Sequence, residues 1–271
     1  MSTTASDTAP ESPALIVERR DAVLLIRINR PAARNALNSA VIYGIGEALI
    51  AAEADPQVRA IVLTGTGDKA FSAGMDLREF AGGSAPSQRS PQQRTALDAF
   101  NRLLDGNTGV PIVGAANATA VGGGLELLLA CDMIVTSAAA KFAFPEVKRG
   151  MFAAGGGTGV ATRIPLGIAL EMLLTGEPID ADRAYRIGLV NAVTEPGRVL
   201  DTALALAASV AANAPLGLAA SKELARLAVT DGPAAVGDRR KHWQEMVFAS
   251  ADAAEGARAF IERRVPEWQG H

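Results

Sequence analysis

Two short, mostly apolar stretches near the start of the chain, residues 15–19 and 22–28, are predicted to be strands joined by a hairpin turn at residues 20–21. In the second stretch Leu24, Ile26 and Ile28 occupy every second position, which places them on one face of the strand. Over residues 41–52 the apolar positions recur at helical spacing instead, which predicts a helix. Ser39 is its expected N-cap, because its hydroxyl can accept a hydrogen bond from the first turn.

Three further apolar stretches, at residues 60–64, 111–113 and 133–136, are predicted to be buried strands. The order strand, strand, helix recurs along the chain, whereas a dinucleotide-binding fold alternates one strand with one helix. The sequence contains neither G-x-G-x-x-G nor G-x-x-x-x-G-K-[ST], the phosphate-binding motifs of the Rossmann and P-loop folds. An α/β fold of another kind is therefore predicted.

From about Val199 onward the apolar spacing is helical only. We therefore expect a core over residues 14–198 and a helical C-terminal module over residues 199–271. Residues 1–13 are rich in Ser, Thr, Ala and Pro and have neither an apolar stretch nor a basic start. They are predicted to be a disordered tail rather than a signal peptide or a membrane anchor.

Charge and cysteine content narrow the expected partners and compartment. The net charge is −3 and the 26 basic and 29 acidic residues are interspersed, so neither nucleic acid nor an anionic membrane is an expected partner. The single cysteine, Cys131, cannot form an intrachain disulfide, which is typical of a reducing compartment and predicts a cytoplasmic protein. Because His242 and His271 are the only histidines, neither a Ser-His-Asp triad nor a His-ligated metal site is expected.

Candidate chemistry lies in two glycine-containing segments, Phe-Ser-Ala-Gly-Met-Asp-Leu at residues 71–77 and Val-Gly-Gly-Gly-Leu-Glu at residues 121–126. Glycine lets a ligand approach the main chain closely, and a helix that begins just after it directs N–H groups at that ligand. Glu126 stands alone in an apolar helix, where a buried acid requires a reason. Taken singly, either segment is better explained as a tight turn before a helix.

Two further features surround the first of these segments. Asp76 and Glu79 have the spacing of a capping box, which is expected to fix the direction of the Met75 N–H. Residues 81–93 are rich in Gly, Ser, Pro and Gln and have no periodicity. They are predicted to be a mobile loop that forms a lid over a pocket.

Together the two segments resemble the crotonase, or enoyl-CoA hydratase, superfamily. The resemblance runs from about residue 14 to residue 270. It includes, in family order, Asn29-Arg30-Pro31, Asn35-Ala36-Leu37, Lys141-Phe142-Ala143-Phe144-Pro145-Glu146, Ser250-Ala251-Asp252, Glu255-Gly256 and Ala259-Phe260. It implies a spiral of repeated strand-strand-helix turns, whose C-terminal helices help to build a homotrimer that is often paired into a hexamer.

The resemblance assigns catalytic roles on an acyl-CoA substrate. The N–H groups of Met75 and Gly123 are implied to hold the thioester oxygen. Glu126 and Glu146 fall on the two glutamate positions of hydratases, where Glu126 would orient and activate water and Glu146 would deliver a proton to the substrate Cα. Without the resemblance, Glu146 is better explained as a loop acid paired with a base at residues 148–149.

No separate cofactor is expected, because coenzyme A enters as part of the substrate thioester. The residues implied to contact CoA are Arg34, Ala73, Asp76, Leu77 and Arg78. The two arginines would reach phosphates, although two solvated arginines explain them equally well. Candidate walls of the acyl pocket are Phe80, Met151 and Phe152.

The sequence departs from the hydratase pattern in three ways. Ala153 and Ala154 replace the usual Pro-Gly, whose glycine N–H helps to hold the water. Ala118 replaces a glycine, and Met75 is bulkier than the usual residue. The backbone N–H groups survive these exchanges, but the shapes of the turn and of the acyl pocket are put in doubt.

The predicted activity is that of an enoyl-CoA hydratase, a hydro-lyase that reversibly adds water across the trans-2 double bond of an enoyl-CoA thioester. An isomerase of the same superfamily is an alternative, since it can work with the glutamate at position 146 alone. A non-catalytic scaffold that binds acyl-CoA or a partner protein is another. The presence of both glutamates favours the hydratase, while the length and the linear, branched or sterol-derived nature of the acyl group stay open.

Overall fold

The structure is a computed structural model that describes residues 13–81 and 89–271, except for the side chain of Phe80. Residues 1–12 of the predicted tail lie outside the described residues. The same holds for residues 82–88 of the predicted loop.

Nine strands form two sheets within the described residues. They are β1 Leu15–Arg20, β2 Val23–Ile28, β3 Ala60–Gly65, β4 Ile112–Ala116, β5 Ala120–Val121, β6 Met133–Ser137, β7 Lys141–Ala143, β8 Ile179–Asp180 and β9 Ala192–Thr194. The larger sheet has the order β1-β2-β3-β4-β6-β9, with β1 antiparallel to β2 and the other neighbours parallel. In the smaller sheet, β7 lies between β5 and β8. The predicted hairpin and the three further strands are confirmed.

Helices follow most strands and cover the larger sheet. They are α1 Ser39–Ala54, α2 Leu77–Ala81, α3 Pro91–Leu104, α4 Gly123–Ala130, α5 Leu166–Thr175, α6 Ala181–Arg186, α7 Val199–Ala211, α8 Pro215–Thr230, α9 Val236–Phe248 and α10 Ala251–Glu262. Short 3₁₀ helices occupy Pro31–Ala33, Pro145–Arg149, Gly157–Thr162 and Pro196–Arg198. This mixture of a central sheet and many helices is the α/β architecture expected from the sequence.

Strand β2 is buried on both faces, as expected for a sheet that is covered on both sides. Leu24, Ile26 and Ile28 pack into an apolar cluster with α1 and α4, which confirms the predicted alternation. Val23 and Leu25 face a second cluster, which contains the buried alanines of α7. The sheet is therefore the middle layer of the core.

The C-terminal part of the chain is helical, as predicted. Its first helix, α7, packs against β3 and β4 of the larger sheet, and α8 begins at Pro215, which suits the first turn of a helix. A module boundary at residue 199 stays a prediction. Within the described ranges no single helix is long and apolar enough to cross a membrane. The segments Pro196–Ala211 and Pro215–Thr230, which meet at an angle of 108°, are long and apolar enough only when they are taken together.

The predicted N-cap of α1 is wrong by one residue. Asn38 holds that position, and its side-chain oxygen accepts a hydrogen bond from the Val41 N–H at 3.1 Å. Ser39 is the first helical residue instead. Its N–H donates to Glu79 Oε2 at 3.1 Å and its hydroxyl also contacts the Glu79 carboxylate.

Only half of the predicted capping box between Asp76 and Glu79 forms. Asp76 accepts a hydrogen bond from the Glu79 N–H, and the contact with Ser39 explains why the reciprocal bond is missing. The Glu79 carboxylate is already bound at the start of α1, so it does not return to the Asp76 N–H. Asp76 still accepts a hydrogen bond from the Arg78 N–H at 3.2 Å, and it forms an ion pair with Arg30 at 2.9 Å. A distant contact has displaced the local one.

The C-terminal boundary of the predicted loop at residues 81–93 is also wrong. Helix α3 begins at Pro91, where the fixed φ of proline suits the first turn. Ser90 and Gln93 form a complete capping box, because each side chain accepts a hydrogen bond from the backbone N–H of the other. The lid role stays a prediction.

Candidate active site

The two glycine-containing segments lie side by side in the fold. An isolated parallel bridge joins Ser72 and Ala120. It consists of hydrogen bonds from the Phe71 N–H to the Thr119 carbonyl at 3.0 Å and from the Val121 N–H to the Ser72 carbonyl at 3.1 Å. The chain therefore enters both segments in a fixed register, which sets the position of the backbone groups that follow.

A second parallel bridge, between Leu37 and Met75, orients the Met75 N–H. The Leu37 N–H donates to the Gly74 carbonyl at 2.8 Å, and the Asp76 N–H donates to the Leu37 carbonyl at 3.0 Å. In a parallel bridge the residue between two such bonds directs its own N–H to the opposite side. Within the described residues the Met75 N–H has no acceptor.

The Gly123 N–H belongs to the first turn of α4, whose leading donors have no partner inside the helix. The N-cap is Gly122, at φ 54° and ψ −131°, a conformation open to glycine that leaves the helix without a side-chain cap. In the described part of the chain the Gly123 N–H donates to no acceptor. A Cβ atom built on Gly123 would lie 3.4 Å from the Met75 nitrogen, so the two N–H groups are neighbours. They are called the donor pair below.

Glu126 lies on the next turn of α4 and is 8% exposed. Its Oε1 accepts hydrogen bonds from the Gly155 N–H at 2.8 Å and the Gly157 N–H at 3.0 Å. Gly156, between these donors, has φ 101°, a backbone conformation that favours glycine. A Cβ on Gly155 would lie 2.6 Å from Glu126 Oε2. The glycine-rich turn therefore fits closely around this carboxylate.

The environment of Glu126 shifts its proton affinity upward. Burial raises the pKa of this carboxyl, and the nearby charge of Glu146 raises it further. The hydrogen bonds from Gly157 and Gly155 act in the opposite direction, but the pKa stays above its ordinary value. An ionised carboxylate with a raised pKa is a stronger base toward water.

Glu146 is the second residue of the 3₁₀ helix Pro145–Arg149, which follows β7. A Cβ on Gly122 would lie 2.7 Å from Glu146 Oε1, so this carboxylate borders the second glycine segment. Its Oε2 is buried and has no hydrogen-bond partner among the described residues. A buried carboxylate oxygen without a partner is costly, which indicates a place for a ligand.

The alternative explanation of Glu146 as a loop acid in an ion pair is wrong. Lys148 pairs with Glu177 at 2.6 Å. Arg149 donates to the Pro145 carbonyl at 3.4 Å and forms no ion pair with a carboxylate of the described chain. The two neighbouring cations therefore leave the Glu146 carboxylate available.

A cavity of about 480 Å³ borders these groups, although Gly123 and Glu126 are not among its described lining residues. Met75, Gly122 and Glu146 line one part of it, and apolar side chains of Leu77, Met151 and Phe152 line another. Gly155, which holds Glu126, borders the cavity as well. The arrangement can bind an apolar group, accept a negatively charged oxygen beside the Met75 N–H and present the Glu146 carboxylate to the bound molecule. Glu126 lies next to the cavity, behind Gly155.

The sequence model of the enoyl-CoA hydratase/isomerase family matches residues 18–271. The chain belongs to this family. It is 38% identical over 265 residues to a carnitinyl-CoA dehydratase of Salmonella arizonae, covering 96% of this chain and 100% of that protein.

Solved structures of the family show the same fold. An enoyl-CoA hydratase of Mycobacterium tuberculosis H37Rv superposes with a TM-score of 0.86 at 40% identity. A carnitinyl-CoA hydratase of Mycobacterium avium gives 0.74 at 41% identity. Each comparison covers 96% of this chain and 100% of the other. Hydration and dehydration are two directions of one reaction, and the chain is a crotonase-family enzyme of this hydro-lyase kind.

The residues implied by the family to contact CoA are not all at the cavity. Ala73 and Leu77 line it. Arg34 lines a neighbouring cavity of about 200 Å³, while its carbonyl accepts the Ala73 N–H at 2.9 Å. Arg78 is exposed. All four positions lie within or next to the first glycine segment.

Asp76 has a different environment from its neighbours. Partial burial works to raise the pKa of this carboxyl, but the hydrogen bonds from Arg30 and from the N–H groups of Arg78 and Glu79 hold the pKa below its ordinary value. The carboxylate is thus stabilised by the protein itself. Its contribution is to hold the first segment in place.

The departure from the family pattern at residues 153–154 leaves a backbone donor in place. Ala153 is buried, whereas Ala154 lines the cavity. Its N–H donates to no acceptor in the residues that the structure describes. The exchange of glycine for alanine therefore keeps an N–H at the position where the family holds water.

Sequence reasoning missed two contributors to this site. Gly155 and Gly157 hold Glu126, and the only signal for them was the run of three glycines at residues 155–157. Arg149 lines the cavity, and its sequence position next to other charged residues did not distinguish it from a solvated base.

Proposed function

We propose that this protein is an enoyl-CoA hydratase that adds water reversibly across the trans-2 double bond of an enoyl-CoA thioester. The observation that carries the proposal is an apolar cavity lined by Met75, Gly122 and Glu146, where Glu146 has a buried oxygen without a partner in the described chain and the Gly123 N–H adjoins that of Met75. Glu126, with its raised pKa, completes the set.

The donor pair would hold the thioester oxygen while negative charge develops on it. Two backbone N–H groups fixed in advance do not have to reorganise during the reaction, and the N-terminal end of α4 adds its partial positive charge. Loss of one such donor typically costs about 3–4 kcal/mol of transition-state stabilisation. Because donation comes from the main chain, the bulk of the Met75 side chain does not prevent it.

The two glutamates would divide the proton transfers. Glu126, whose Oε1 is held by two N–H donors, would orient the water and accept its proton through Oε2. Glu146 would deliver a proton to the substrate Cα. The Ala154 N–H borders the same cavity and would be the third group that holds the water.

The CoA part of the substrate would extend along the first glycine segment. Ala73 and Leu77 would contact it through the backbone, and Asp76 would support this stretch through its ion pair with Arg30. The exposed guanidinium groups of Arg34 and Arg78 would meet phosphates, which arginine binds well.

A carnitinyl-CoA dehydratase is a second candidate, because relatives of 38% and 41% identity carry carnitinyl-CoA names. The same donor pair and acids would serve the elimination of water from a hydroxyacyl thioester. An isomerase would not need Glu126, so the close fit of the glycine turn around that residue argues against it.

Incubation with crotonyl-CoA tests the proposal. A hydratase consumes the conjugated double bond and gives a product that is heavier by one water. An isomerase gives a product of unchanged mass, and a scaffold binds without turnover. Either of the last two results would overturn the proposed function.

We also propose that the chain forms a homotrimer or a dimer of trimers. Large apolar side chains are exposed on the last two helices, including Phe248 at 78%, Phe260 at 85% and Ile261 at 79%. Contact with further copies would bury them. Light scattering during size exclusion would contradict this if it gave the mass of one chain.

A further inference from the structure

We propose that Arg149 selects substrates whose acyl group ends in an anion, of which a carboxylate is the simplest. This inference rests on the proposed hydratase function and extends it to the class of substrate. It starts from the charges of the cavity. Among its described lining residues, Glu146 and Arg149 are the charged side chains.

The local helix places these two charges on one face. Glu146 and Arg149 are three residues apart in the 3₁₀ helix Pro145–Arg149, and side chains three apart in such a helix lie above one another, separated by about 6 Å along the axis. The end of the helix is held by the Met151 N–H, which donates to the Glu146 carbonyl at 3.1 Å. Both side chains border the cavity, one turn of this helix apart.

Arg149 has little protein to interact with in this position. Its side chain is exposed. Among the described residues it makes one hydrogen bond, to the Pro145 carbonyl at 3.4 Å, and no ion pair. Lys148, the preceding residue, is paired with Glu177 and does not line the cavity. One of two adjacent cations is thus neutralised by the protein, and the other is left for a ligand.

The direction of the acyl chain brings its far end toward Arg149. In the proposed function Glu146 acts at the substrate Cα, and the acyl carbons beyond it pass the apolar side chains of Met151 and Phe152. Arg149 lies one helical turn from Glu146 along the same wall. A short acyl chain that ends in a carboxylate would place that carboxylate within reach of the guanidinium, whose planar donors match it.

The same charge argues against a trimethylammonium group. Cation sites are usually built from aromatic faces, and Phe152 is the one aromatic residue among the described lining. A guanidinium at the cavity repels a second cation that is bound near it. The cavity of this chain therefore differs in charge from what a carnitinyl group requires.

A series of three matched substrates tests the inference. We use crotonyl-CoA and its derivatives with a carboxylate or a trimethylammonium group at the terminal carbon, and measure kcat/KM for water addition. A charge-assisted hydrogen bond predicts at least about a tenfold preference for the anionic over the neutral thioester. The cationic thioester should be the poorest.

Two variants assign the preference to one residue. In Arg149→Gln the ratio of anionic to neutral kcat/KM should fall to about one, and in Arg149→Glu the order of the charged substrates should reverse. Lys148→Gln is the matched control, because it removes the adjacent cation away from the cavity. It should keep the ratio of the unmodified enzyme.

The substrate phosphates are another possible source of anions, and pantetheine thioesters without the nucleotide distinguish them. A preference for the carboxylate that persists with pantetheine thioesters supports the proposal. If Arg149→Gln instead impairs all CoA thioesters equally and no pantetheine thioester, Arg149 binds phosphate and the proposal is overturned.

Failure of the inference can be told apart from failure of the proposed function. If the three thioesters are hydrated equally well and Arg149→Gln does not change this, the inference is overturned but the proposed hydratase function stands. If none of the thioesters gains water, the proposed hydratase function is overturned. Calorimetric binding of the same thioesters then still tests whether Arg149 selects an anionic acyl group. Tighter binding of the anion then supports selection, and equal binding overturns it.

Discussion

Two acids in this protein, Asp132 and Glu146, lie in opposite kinds of environment. Asp132 Oδ2 accepts from the Ile112 N–H at 2.8 Å and pairs with Lys222 at 2.9 Å, and its Oδ1 pairs with Arg226 at 2.8 Å. Glu146 has a buried oxygen for which the described chain supplies no partner. One carboxylate is satisfied by the protein and the other is not.

The difference separates a structural cluster from a functional one. The Asp132 cluster joins α8 to the start of β4, since Lys222 also donates to Thr108 and to the Val110 carbonyl at 2.8 and 3.0 Å. Burial lowers the pKa of Lys222, while Asp132 acts to raise it and so supports the charged form. Polar groups that are all paired stabilise the fold, whereas a partnerless carboxylate at a cavity gains its partner from a ligand.

The largest effect on stability is expected from Asp132→Ala. Removal of Asp132 from this partly buried cluster leaves the cations Lys222 and Arg226 uncompensated, so the free energy of unfolding should fall by about 3 kcal/mol, the lower end of the range for buried ion pairs. Urea denaturation measures this change. Glu171→Ala, which breaks the exposed pair with Arg183, is the control and should lower the free energy of unfolding far less than Asp132→Ala does. Equal decreases in the free energy of unfolding of the two variants would contradict the structural role of the Asp132 cluster.

The largest effect on catalysis is expected from Glu146→Gln and Glu126→Gln. Each variant keeps the size of the side chain but removes a proton transfer, so kcat for crotonyl-CoA should fall by at least about a hundredfold with little change in thioester affinity. Steady-state kinetics and binding calorimetry on the same samples measure both. Near-normal turnover would exclude the substituted residue from the mechanism.

A smaller and more specific effect is expected from Gly123→Ala. The new methyl group would lie 3.4 Å from the Met75 nitrogen and makes no closer contact with other segments. It should obstruct the donor pair and lower kcat/KM by about tenfold or more, on the order of 1.4 kcal/mol. Stability should stay within about 1 kcal/mol, because alanine suits a helix better than glycine.

Gly124→Ala is the matched control for that variant. Its Cβ would lie 2.4 Å from the Ser72 carbonyl oxygen, which requires a backbone shift and should lower the thermal midpoint. Kinetics and midpoint are measured together for both variants. Unchanged kinetics with a lowered midpoint in Gly123→Ala would show that this glycine serves only the turn.

The smallest expected effect is a pH dependence of stability due to Glu126. Its pKa in the folded protein lies above the ordinary value of 4.5, so the folded state binds more protons than the unfolded state between these values. The stabilisation is complete below pH 4.5 and is lost as pH rises through the folded pKa. Relative to Glu126→Gln, the unmodified protein should therefore lose thermal stability over this range.

Glu171 is the control, because its contribution to stability should change with pH in the opposite direction. The hydrogen bond from Arg183 lowers its pKa, so its contribution is present above pH 4.5 and is lost as pH falls. Thermal midpoints of Glu126→Gln and Glu171→Gln, each compared with the unmodified protein across pH, should therefore differ in the direction of their slopes. Parallel slopes would contradict the raised pKa of Glu126.

Patterns within single segments determined the elements of this protein. The alternation in residues 22–28 and the helical spacing in residues 41–52 are local periods, so they predicted β2 and α1 without any knowledge of the rest of the chain. The family motifs also contain the donor pair, because both N–H groups belong to the main chain of the motifs themselves. Their direction depends on the bridges to Leu37 and Ala120.

Only the tertiary structure decided which polar side chains have partners. Glu79 bonds to Ser39, 40 residues away, and this contact displaced half of the capping box that its local spacing predicted. Glu126 is held by N–H groups 29 and 31 residues further along the chain. Arg149 and Lys148 are adjacent in sequence, yet Glu177 neutralises only Lys148. A hydrogen bond depends on distance in space, and a local period carries no information about which distant segment will supply the partner.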